Sequence, residues 1–288
     1  MIGKYLSLVK FSHTIFALPF AILGFVIASQ ESHNQLSLKL FLLIVLSMVF
    51  ARSAAMAFNR YIDRDIDKLN PRTAVREIPA GKIQPQSALL FVIGNCLLFV
   101  ITAYFINPLC FYLSPVALAI VLGYSLTKRY TFLCHFILGI GLSLAPLGAY
   151  LAVTGSFDLL PFVYALAVFL WVAGFDIIYA LQDEDFDKSN ELHSVPVILG
   201  VKRSLFLSNI LHFITAVLIL FAAYLMQKRF IDLQYLHWLG AGLFIGLLFY
   251  QHTLVKENDL SKINLAFFTT NGIASIVLGT MVILDFYI

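Results

Sequence analysis

The chain has 288 residues, of which 60% are hydrophobic and 12% are charged, and its formal net charge is +3. A water-soluble chain carries about twice this share of charged residues, so the composition indicates an integral membrane protein. The small net charge gives no support for nucleic acid as a partner. Three cysteines stand in or beside apolar runs without metal-type spacing, and we interpret them as small buried hydrophobes: Cys96, Cys110 and Cys134.

Nine apolar runs follow one another along the chain, each about long enough for a transmembrane helix. The predicted spans are approximately 11–29, 38–58, 88–106, 108–126, 132–154, 159–181, 204–226, 235–253 and 265–285. We interpret the first run as a retained span because no small-residue cleavage site is evident. No segment is left for a soluble domain, so we expect a single all-α membrane domain over residues 1–288.

Lysine and arginine are distributed unevenly between the two sides of the predicted bundle. With a cytoplasmic N-terminus, fifteen of the 19 face the cytoplasm and three face the other side. Arg52 is the remaining one and lies inside the second span. The bias predicts a multi-pass protein of the cell (inner) membrane with its N-terminus in the cytoplasm.

Two acidic motifs follow the second and sixth predicted spans. Asn59, Asp63 and Asp67 recur every four residues, which predicts that they stack on one helical face. Asp183 and Asp187 repeat this spacing after the sixth span. Both motifs face the cytoplasm in the predicted orientation, and their matching positions suggest a weak internal repeat.

Paired carboxylates of this kind can ligate a hard cation together. Mg²⁺ takes few carboxylates and keeps its remaining positions for water and substrate phosphate. Two pairs facing each other across a cavity would hold two cations that clamp one diphosphate. The candidate metal ligands are Asn59, Asp63, Asp67, Asp183 and Asp187. The alternative is that these are ordinary charged helix faces beside solvated loops.

Basic residues accompany both motifs. Arg72 and Arg76 lie in NPRTAVREIPAG, whose Pro and Gly predict a structured turn. Lys128 and Arg129 lie at the next cytoplasmic end, where topology alone would also account for them. Arginine can fork onto phosphate oxygens, and lysine can act as a point charge. Arg52, inside a span, is costly unless it faces a cavity or a partner.

Several further side chains have a simpler interpretation. Tyr124 precedes Lys128 by one turn, and Tyr179 lies one turn before Asp183 on the same face. The apolar side chains would suit lipid contacts, helix packing or a hydrocarbon tunnel equally well. We expect five histidines to be structural: His13, His135, His212, His237 and His252.

The first motif with RTAVREIPAG downstream, together with the second DxxxD, resembles the UbiA family of intramembrane aromatic prenyltransferases. A Tyr-x-x-x-Lys-Arg run beginning at Tyr124 also fits, and the resemblance covers the whole chain. The opening KFSHTIFALPFA and the later HSVP are similar to the bacterial 4-hydroxybenzoate polyprenyltransferase-like branch. One departure is Asn59-Arg60, where many family members have Asn-Asp.

The resemblance implies a UbiA-type bundle of about nine transmembrane helices that transfers a polyprenyl chain from its diphosphate to a ring carbon of an aromatic acid. The expected acceptor is 4-hydroxybenzoate, in respiratory quinone synthesis. The alternative is 1,4-dihydroxy-6-naphthoate, on the futalosine route to menaquinone. Mg²⁺ is the implied cofactor, membrane lipid surrounds the protein, and the oligomeric state stays open.

The resemblance also implies roles for individual residues. Catalytic roles fall on Asp183, Asp187, Arg76 and Lys128, with the basic residues stabilising the departing diphosphate. Substrate contacts fall on Arg52, Asn59, Arg72, Tyr124, Arg129 and Tyr179. Arg52 would steer the acceptor carboxylate or the diphosphate. An unpaired carboxylate such as Asp183 or Asp185 would accept the phenolic proton.

Other functions fit parts of the pattern. Buried Arg and Asp residues in a helix bundle also suit a transporter, but these acids cluster at one membrane face and no broken-helix pattern is evident. A phosphatidyltransferase also uses clustered aspartates with a metal, yet its DGxxAR-type run is absent. Binding without turnover is the remaining alternative.

Overall fold

The computed structural model describes residues 2–9, 16–32 and 36–288, and the fold is a bundle of α-helices. The helices are α1 (Ile2–Leu8), α2 (Leu18–Glu31), α3 (Leu38–Ile62), α4 (Arg64–Leu69), α5 (Pro85–Ile106), α6 (Pro108–Thr127), α7 (Cys134–Thr154), α8 (Leu159–Ala180), α9 (Glu184–Ser189), α10 (Val195–Arg229), α11 (Leu236–Leu254) and α12 (Asn271–Leu284). A 3₁₀ turn, Leu181–Asp183, precedes α9, and a π-helical turn, Leu265–Thr270, precedes α12.

Each of the nine predicted apolar runs coincides with a helix in the described part of the chain. Within the described residues, seven helices are long and apolar enough to cross a membrane. The other two are α2, with 14 residues, and α11, with 19. The start of the first predicted span, with His13, and Lys10 just before it lie outside the described residues. The prediction of an all-α multi-pass membrane protein is confirmed.

The tight connection between α5 and α6 is a single residue, Asn107. Its backbone is extended, and its side-chain oxygen accepts a hydrogen bond from the Cys110 amide at 2.8 Å. The side-chain amide donates to the Leu151 carbonyl, also at 2.8 Å. Asn107 therefore caps α6 and ties this hairpin to the end of α7, while Pro108 starts the new helix without needing a donor.

Helix α10 begins at Val195, so the predicted start at 204 was wrong. Ser194 caps the helix, and Pro196 occupies its first turn. Gly200 then interrupts the helix with φ 72° and ψ 171°, a conformation that essentially only glycine adopts. The apolar run is recognisable only after this kink, because Lys202 and Arg203 follow it directly.

The core surrounds α8, which carries the second acidic motif at its end. Trp171 is fully buried and packs against Phe20 of α2, Phe175 and Phe244 of α11, with ring centroids 5.1–5.5 Å apart. The Trp171 indole N–H donates to the Asn271 side-chain oxygen at 3.0 Å, so its polar group is satisfied. Helix α8 is thereby held on several sides.

Helices α2 and α7 meet at Gly24. A Cβ on Gly24 would stand 2.3 Å from the Pro146 carbonyl oxygen, so only glycine permits this approach. Helices α3, α6 and α8 end, and α7 and α10 begin, at one end of the bundle. We call this end the motif face, because both acidic motifs lie there.

Candidate active site

Both acidic motifs lie where a long helix gives way to a short one. Helix α3 ends at Ile62, Asp63 has φ −86° and ψ 2°, and α4 follows. The second motif is divided in the same way, by the 3₁₀ turn that ends at Asp183. Neither motif lies on one uninterrupted helix, but the Asp63 amide still donates to the Asn59 carbonyl at 2.9 Å and the Asp67 amide to the Asp63 carbonyl at 2.7 Å. The predicted four-residue spacing is therefore kept in the first motif, where the Asn59 side-chain amide also donates to Asp63 at 2.9 Å.

The break at Asp63 has a physical cause in the contacts around it. Arg129 donates to the Ile62 carbonyl at 2.7 Å and contacts the Asp63 carboxylate at 3.0 Å. One guanidinium thus satisfies a carbonyl that the ending helix leaves free and pairs with the first motif aspartate. The chain then turns so that Asp67 meets Arg76 at 2.6 Å, with one Arg76 nitrogen reaching both carboxylate oxygens.

Arg72 connects the two motifs across 111 residues of sequence. Its Nη2 and Nε contact the two carboxylate oxygens of Asp183 at 2.6 and 3.1 Å. Its Nη1 donates to the Tyr179 hydroxyl at 3.2 Å, and the guanidinium lies near the face of the Tyr179 ring. The Asn70 amide also donates to Asp183, at 3.3 Å. This bidentate contact holds the loop that follows the first motif against the second motif.

Lys128 completes the set by pairing with Asp187 at 2.7 Å. The Ser194 hydroxyl donates to the other Asp187 oxygen at 3.4 Å, and the His193 amide donates to the Lys128 carbonyl at 2.8 Å. Lys128 and Arg129 are sequence neighbours, yet each holds an aspartate of a different motif.

The four motif aspartates are therefore each paired with a different basic residue. Their side chains are 1–25% exposed, whereas those of the basic partners are 25–36% exposed. Buried carboxylates are tolerated here because each has an opposite charge in contact. Burial raises the pKa of Asp63 against the opposing effect of Arg129, and Asp183 raises the pKa of Arg72 although burial opposes this.

The expectation of an unpaired carboxylate is wrong for Asp183 and stays a prediction for Asp185. Asp183 is held by Arg72, and Asp185 is an exposed residue on α9. The alternating DEDFD sequence could not distinguish the carboxylate that faces the site from the one that faces outward.

An apolar cavity of about 410 Å³ lies between α3, α5, α6 and α7. Arg52 and Tyr124 line the end nearer the motifs, since Asn59 and Lys128 follow them within two turns. Phe157 lines the opposite end. Arg52 is half-buried, and its Nε has no hydrogen-bond partner in the described part of the chain. The cavity thus connects an apolar channel with Arg52 and the charged motif face.

Arg60, the departure from the family pattern, is only 4% exposed. It lies within electrostatic range of Asp67 and Arg76. Asn70 and Ser194 contact the motif aspartates, and the sequence interpretation missed both. Their signals were an Asn-Pro turn and a Ser ahead of Val-Pro, which predict a loop and a helix cap respectively.

Comparison with known proteins agrees with the geometry. The profile of the UbiA prenyltransferase family matches residues 17–273. The chain belongs to this family. A 4-hydroxybenzoate octaprenyltransferase of Tolumonas auensis is 30% identical over 241 residues, which are 84% of this chain and 82% of that protein. One from Shewanella halifaxensis is 30% identical over 87% of this chain and 85% of its own.

Solved UbiA structures share the fold. The apo structure of a UbiA homolog from Aeropyrum pernix has 32% sequence identity and a TM-score of 0.82, covering 95% of this chain and 98% of its own. A UbiA homolog from Archaeoglobus fulgidus, solved with DMAPP and Mg²⁺ bound, has 25% identity and a TM-score of 0.74, covering 99% of each chain.

The UbiA motif residues suit a divalent cation by their chemistry. Asp63, Asp67, Asp183 and Asp187 supply hard carboxylate oxygens, and Asn59 adds a neutral amide oxygen, the ligand types that Mg²⁺ prefers. Across the described residues, no three His, Cys, Asp or Glu side chains are grouped as a metal site. Each aspartate instead contacts Arg or Lys, so binding a cation requires these partners to move onto another anion.

Proposed function

We propose that this protein transfers a polyprenyl chain from its diphosphate to a ring carbon of an aromatic acid, with Mg²⁺, and releases diphosphate. One observation carries the proposal. Four carboxylates and four basic side chains pair with one another at the end of an apolar cavity that is also lined by Arg52. The family and the names of its relatives support the same chemistry.

The ion pairs explain how a charged substrate enters a partly buried site. Without substrate, the carboxylates neutralise Arg72, Arg76, Lys128 and Arg129. When a prenyl diphosphate arrives, its phosphate oxygens take over these four basic groups. Arginine suits this exchange because its planar fork binds phosphate and carboxylate with the same geometry.

The released carboxylates would then hold Mg²⁺. Asn59, Asp63 and Asp67 form one candidate ligand set, and Asp183 and Asp187 form the other. Bound there, Mg²⁺ supplies positive charge that stabilises the leaving diphosphate. Arg76, Lys128 and Arg129 add to this stabilisation from the chain's own residues.

The cavity positions the hydrocarbon and excludes water. Its lining is almost entirely apolar, so a prenyl chain would replace water at no polar cost. The allylic carbon that loses diphosphate must meet the aromatic ring before it meets water. The apolar lining beside the charged end of the cavity would keep water away from this carbon.

Arg52 is the candidate contact for the acceptor's carboxylate. It lines the cavity from α3, and its Nε lacks a hydrogen-bond partner among the residues that the structure describes. Tyr124 lines the same region and lies within electrostatic range of Arg52. The carboxylate of an aromatic acid would provide a negative charge to pair with this guanidinium. The proposed acceptor is 4-hydroxybenzoate, and 1,4-dihydroxy-6-naphthoate is the alternative.

The test uses purified protein in detergent with Mg²⁺ and a polyprenyl diphosphate. Each acceptor is offered separately, and the prenylated product is detected by mass. Product from hydroxybenzoate supports the proposed acceptor, and product from the naphthoate alone selects the alternative. Chelation of the metal should stop either reaction. No product and no diphosphate release from either acceptor would contradict the proposal and favour the transporter.

We also propose that the motif face lies in the cytoplasm, in the cell (inner) membrane, and that residues 1–288 act as one domain. The excess of Lys and Arg in the segments at the motif face supports this orientation.

A further inference from the structure

A buried histidine–aspartate pair lies next to the site and has no role in the chemistry above. His135 is in the first turn of α7, and Asp176 is on α8. The His135 Nδ1 and an Asp176 oxygen, Oδ2, are 2.7 Å apart. The histidine side chain is 3% exposed, whereas that of the aspartate is 20% exposed. The carboxylate is therefore the member of the pair that remains accessible.

The backbone around His135 determines which ring nitrogen carries the proton. The Val195 amide donates to His135 Nε2 at 3.3 Å. Because Nε2 accepts, the ring proton is on Nδ1, which donates to Asp176 Oδ2. A neutral histidine leaves Asp176 negatively charged. The four motif aspartates differ, since each is neutralised by Arg or Lys.

Asp176 lies deeper in the bundle than the metal motifs. It lies about one turn inside the end of α8, and Asp183 follows it by seven residues, in the 3₁₀ turn beyond that helix end. Tyr124 lies within electrostatic range of both Asp176 and Arg52. The second Asp176 oxygen, Oδ1, accepts no hydrogen bond from the described part of the chain. A cation and an anion thus stand near Tyr124, at the depth where the acceptor ring would lie.

We propose that Asp176 is the catalytic base that takes the hydroxyl proton of the aromatic acceptor, and that His135 is the residue that positions it. This inference rests on the proposed prenyl transfer. A hydroxy acid carries a carboxylate for Arg52 and a hydroxyl proton for Asp176, so the two side chains recognise its two ends. Asp183 and Asp185 are not required for this step.

The proton and electron pairs balance in two stages. As the hydroxyl proton moves to Asp176, the ring carbon forms a bond to the prenyl carbon, and the carbon–oxygen bond to diphosphate breaks with its electron pair. The alkylated ring is then a neutral dienone. The hydrogen on the alkylated carbon leaves to diphosphate or water, and Asp176 returns its proton to the ring oxygen. One proton is released overall, and the carboxylate is restored.

The decisive experiment compares Asp176→Asn with wild-type protein over a range of pH, in detergent with Mg²⁺, polyprenyl diphosphate and the accepted acceptor. At neutral pH the variant should lose at least about 10²-fold in kcat, with an unchanged KM for the diphosphate. Its rate should then rise about tenfold per pH unit toward the hydroxyl pKa of the acceptor, near 10 for a simple phenol, because the phenolate forms in solution. The wild-type profile should be flatter.

Other ionisable or charged groups near the pair could also shape a pH profile. They are Cys134 beside His135, Tyr124 on α6, Arg52 on α3, Asp63 at the end of α3, and His212 from α10. All of them are present in both wild type and variant, so a difference between the two profiles reports on Asp176.

The chain supplies a matched control in its other buried pair, His237 with Asp285, at the opposite end of the bundle. Both side chains are 0% exposed. Asp285→Asn makes the same chemical change far from the motif face. It should lower the melting temperature without introducing a pH-dependent rescue of activity.

A second pair of variants decides the question if Asp176→Asn does not fold. His135→Ala removes the donor to Asp176, and His135→Asn keeps an N–H donor close to the position of Nδ1. The alanine variant should lose about tenfold in kcat, and the asparagine variant should recover most of it. Equal losses in both, a near-normal Asp176→Asn rate, or a loss uniform with pH would overturn the inference. If the wild type itself makes no product, the proposed function fails first.

Discussion

Arg72 holds two segments together that lie far apart in the sequence. It contacts both oxygens of Asp183 and the Tyr179 hydroxyl. The guanidinium that fixes this loop also has the geometry to bind a diphosphate. Arg76, Lys128 and Arg129 likewise pair with a motif aspartate and could bind a phosphate group. We therefore expect substitution of a paired aspartate to reduce activity more than substitution of an exposed acid beside it.

Asp183→Ala should reduce turnover by 10²-fold or more, on the order of the loss when one electrostatic contact to a transition state is removed. The matched change Asp185→Ala should leave turnover close to wild type, because Asp185 is exposed on α9. Product formation in membranes, measured by mass, checks both. Similar activity of the two variants would contradict the assignment of Asp183 to the site.

Arg76→Met should destabilise the protein by about 3–5 kcal/mol, because it leaves the 5%-exposed Asp67 as a buried charge without its partner. Adding Asp67→Asn removes that charge and should restore much of the melting temperature, while activity stays low. Thermal unfolding in detergent measures the single and double variants. Additive losses would show that the two side chains do not act as a pair.

The sequence predicted which charged side chains lie at the motif face better than it predicted their contacts. The spacing of the motifs identified the four aspartates, and the arginine-rich loop identified Arg72 and Arg76. Nothing in local spacing could show that Arg72 meets Asp183, since 111 residues separate them. His135 appeared structural because a single histidine in an apolar run has no pattern, and its partner Asp176 lies on another helix.

At the scale of helices, the apolar runs predicted most boundaries to within a few residues, because length and hydropathy are fixed by the bilayer. The exceptions are the breaks at Asp63, Asp183 and Gly200. Each is produced by tertiary contacts or by a special backbone conformation rather than by hydropathy. All three lie at or near the motif face, where Ser194 caps the start of α10 and contacts Asp187.

Gly200→Ala should cost about 1–3 kcal/mol, because a Cβ strains a backbone with φ 72° and ψ 171°. No atom would lie within 4 Å of that Cβ, so the cost comes from conformation and not from a clash. Gly242→Ala in α11 is the control, as its Cβ also meets nothing within 4 Å and its φ is not positive. That variant should be neutral or slightly stabilised in a thermal melt.

At the scale of the molecule, the bundle has a cluster of ion pairs at each end. Arg229 pairs with Asp158 at 2.6 Å and with Glu31 at 3.2 Å at the end opposite the motif face. These contacts join the end of α2, the start of α8 and the end of α10. The opposite end therefore has its own compact ion-pair cluster, separate from the motif residues.

The proposed orientation predicts which loops a membrane-impermeant maleimide can reach. In a background with the three native cysteines replaced by alanine, Ile231→Cys should be labelled on intact cells, because Ile231 is 86% exposed at the end opposite the motif face. Ser261→Cys, exposed at the motif face, should be labelled only after permeabilisation. The reverse pattern would place the motif face outside the cytoplasm.

Lys128 and Arg129 have a mechanical consequence that no single ion pair has. Adjacent residues are joined by about 3.8 Å of stiff backbone between their Cα atoms. Lys128 contacts Asp187 and Arg129 contacts Asp63, so the peptide bond between them links the two acidic motifs. If one motif moves away from the end of α6, the ion pair at the other motif should be strained. We therefore expect a substrate that displaces one of these two cations to disturb the ion pair at the other motif as well.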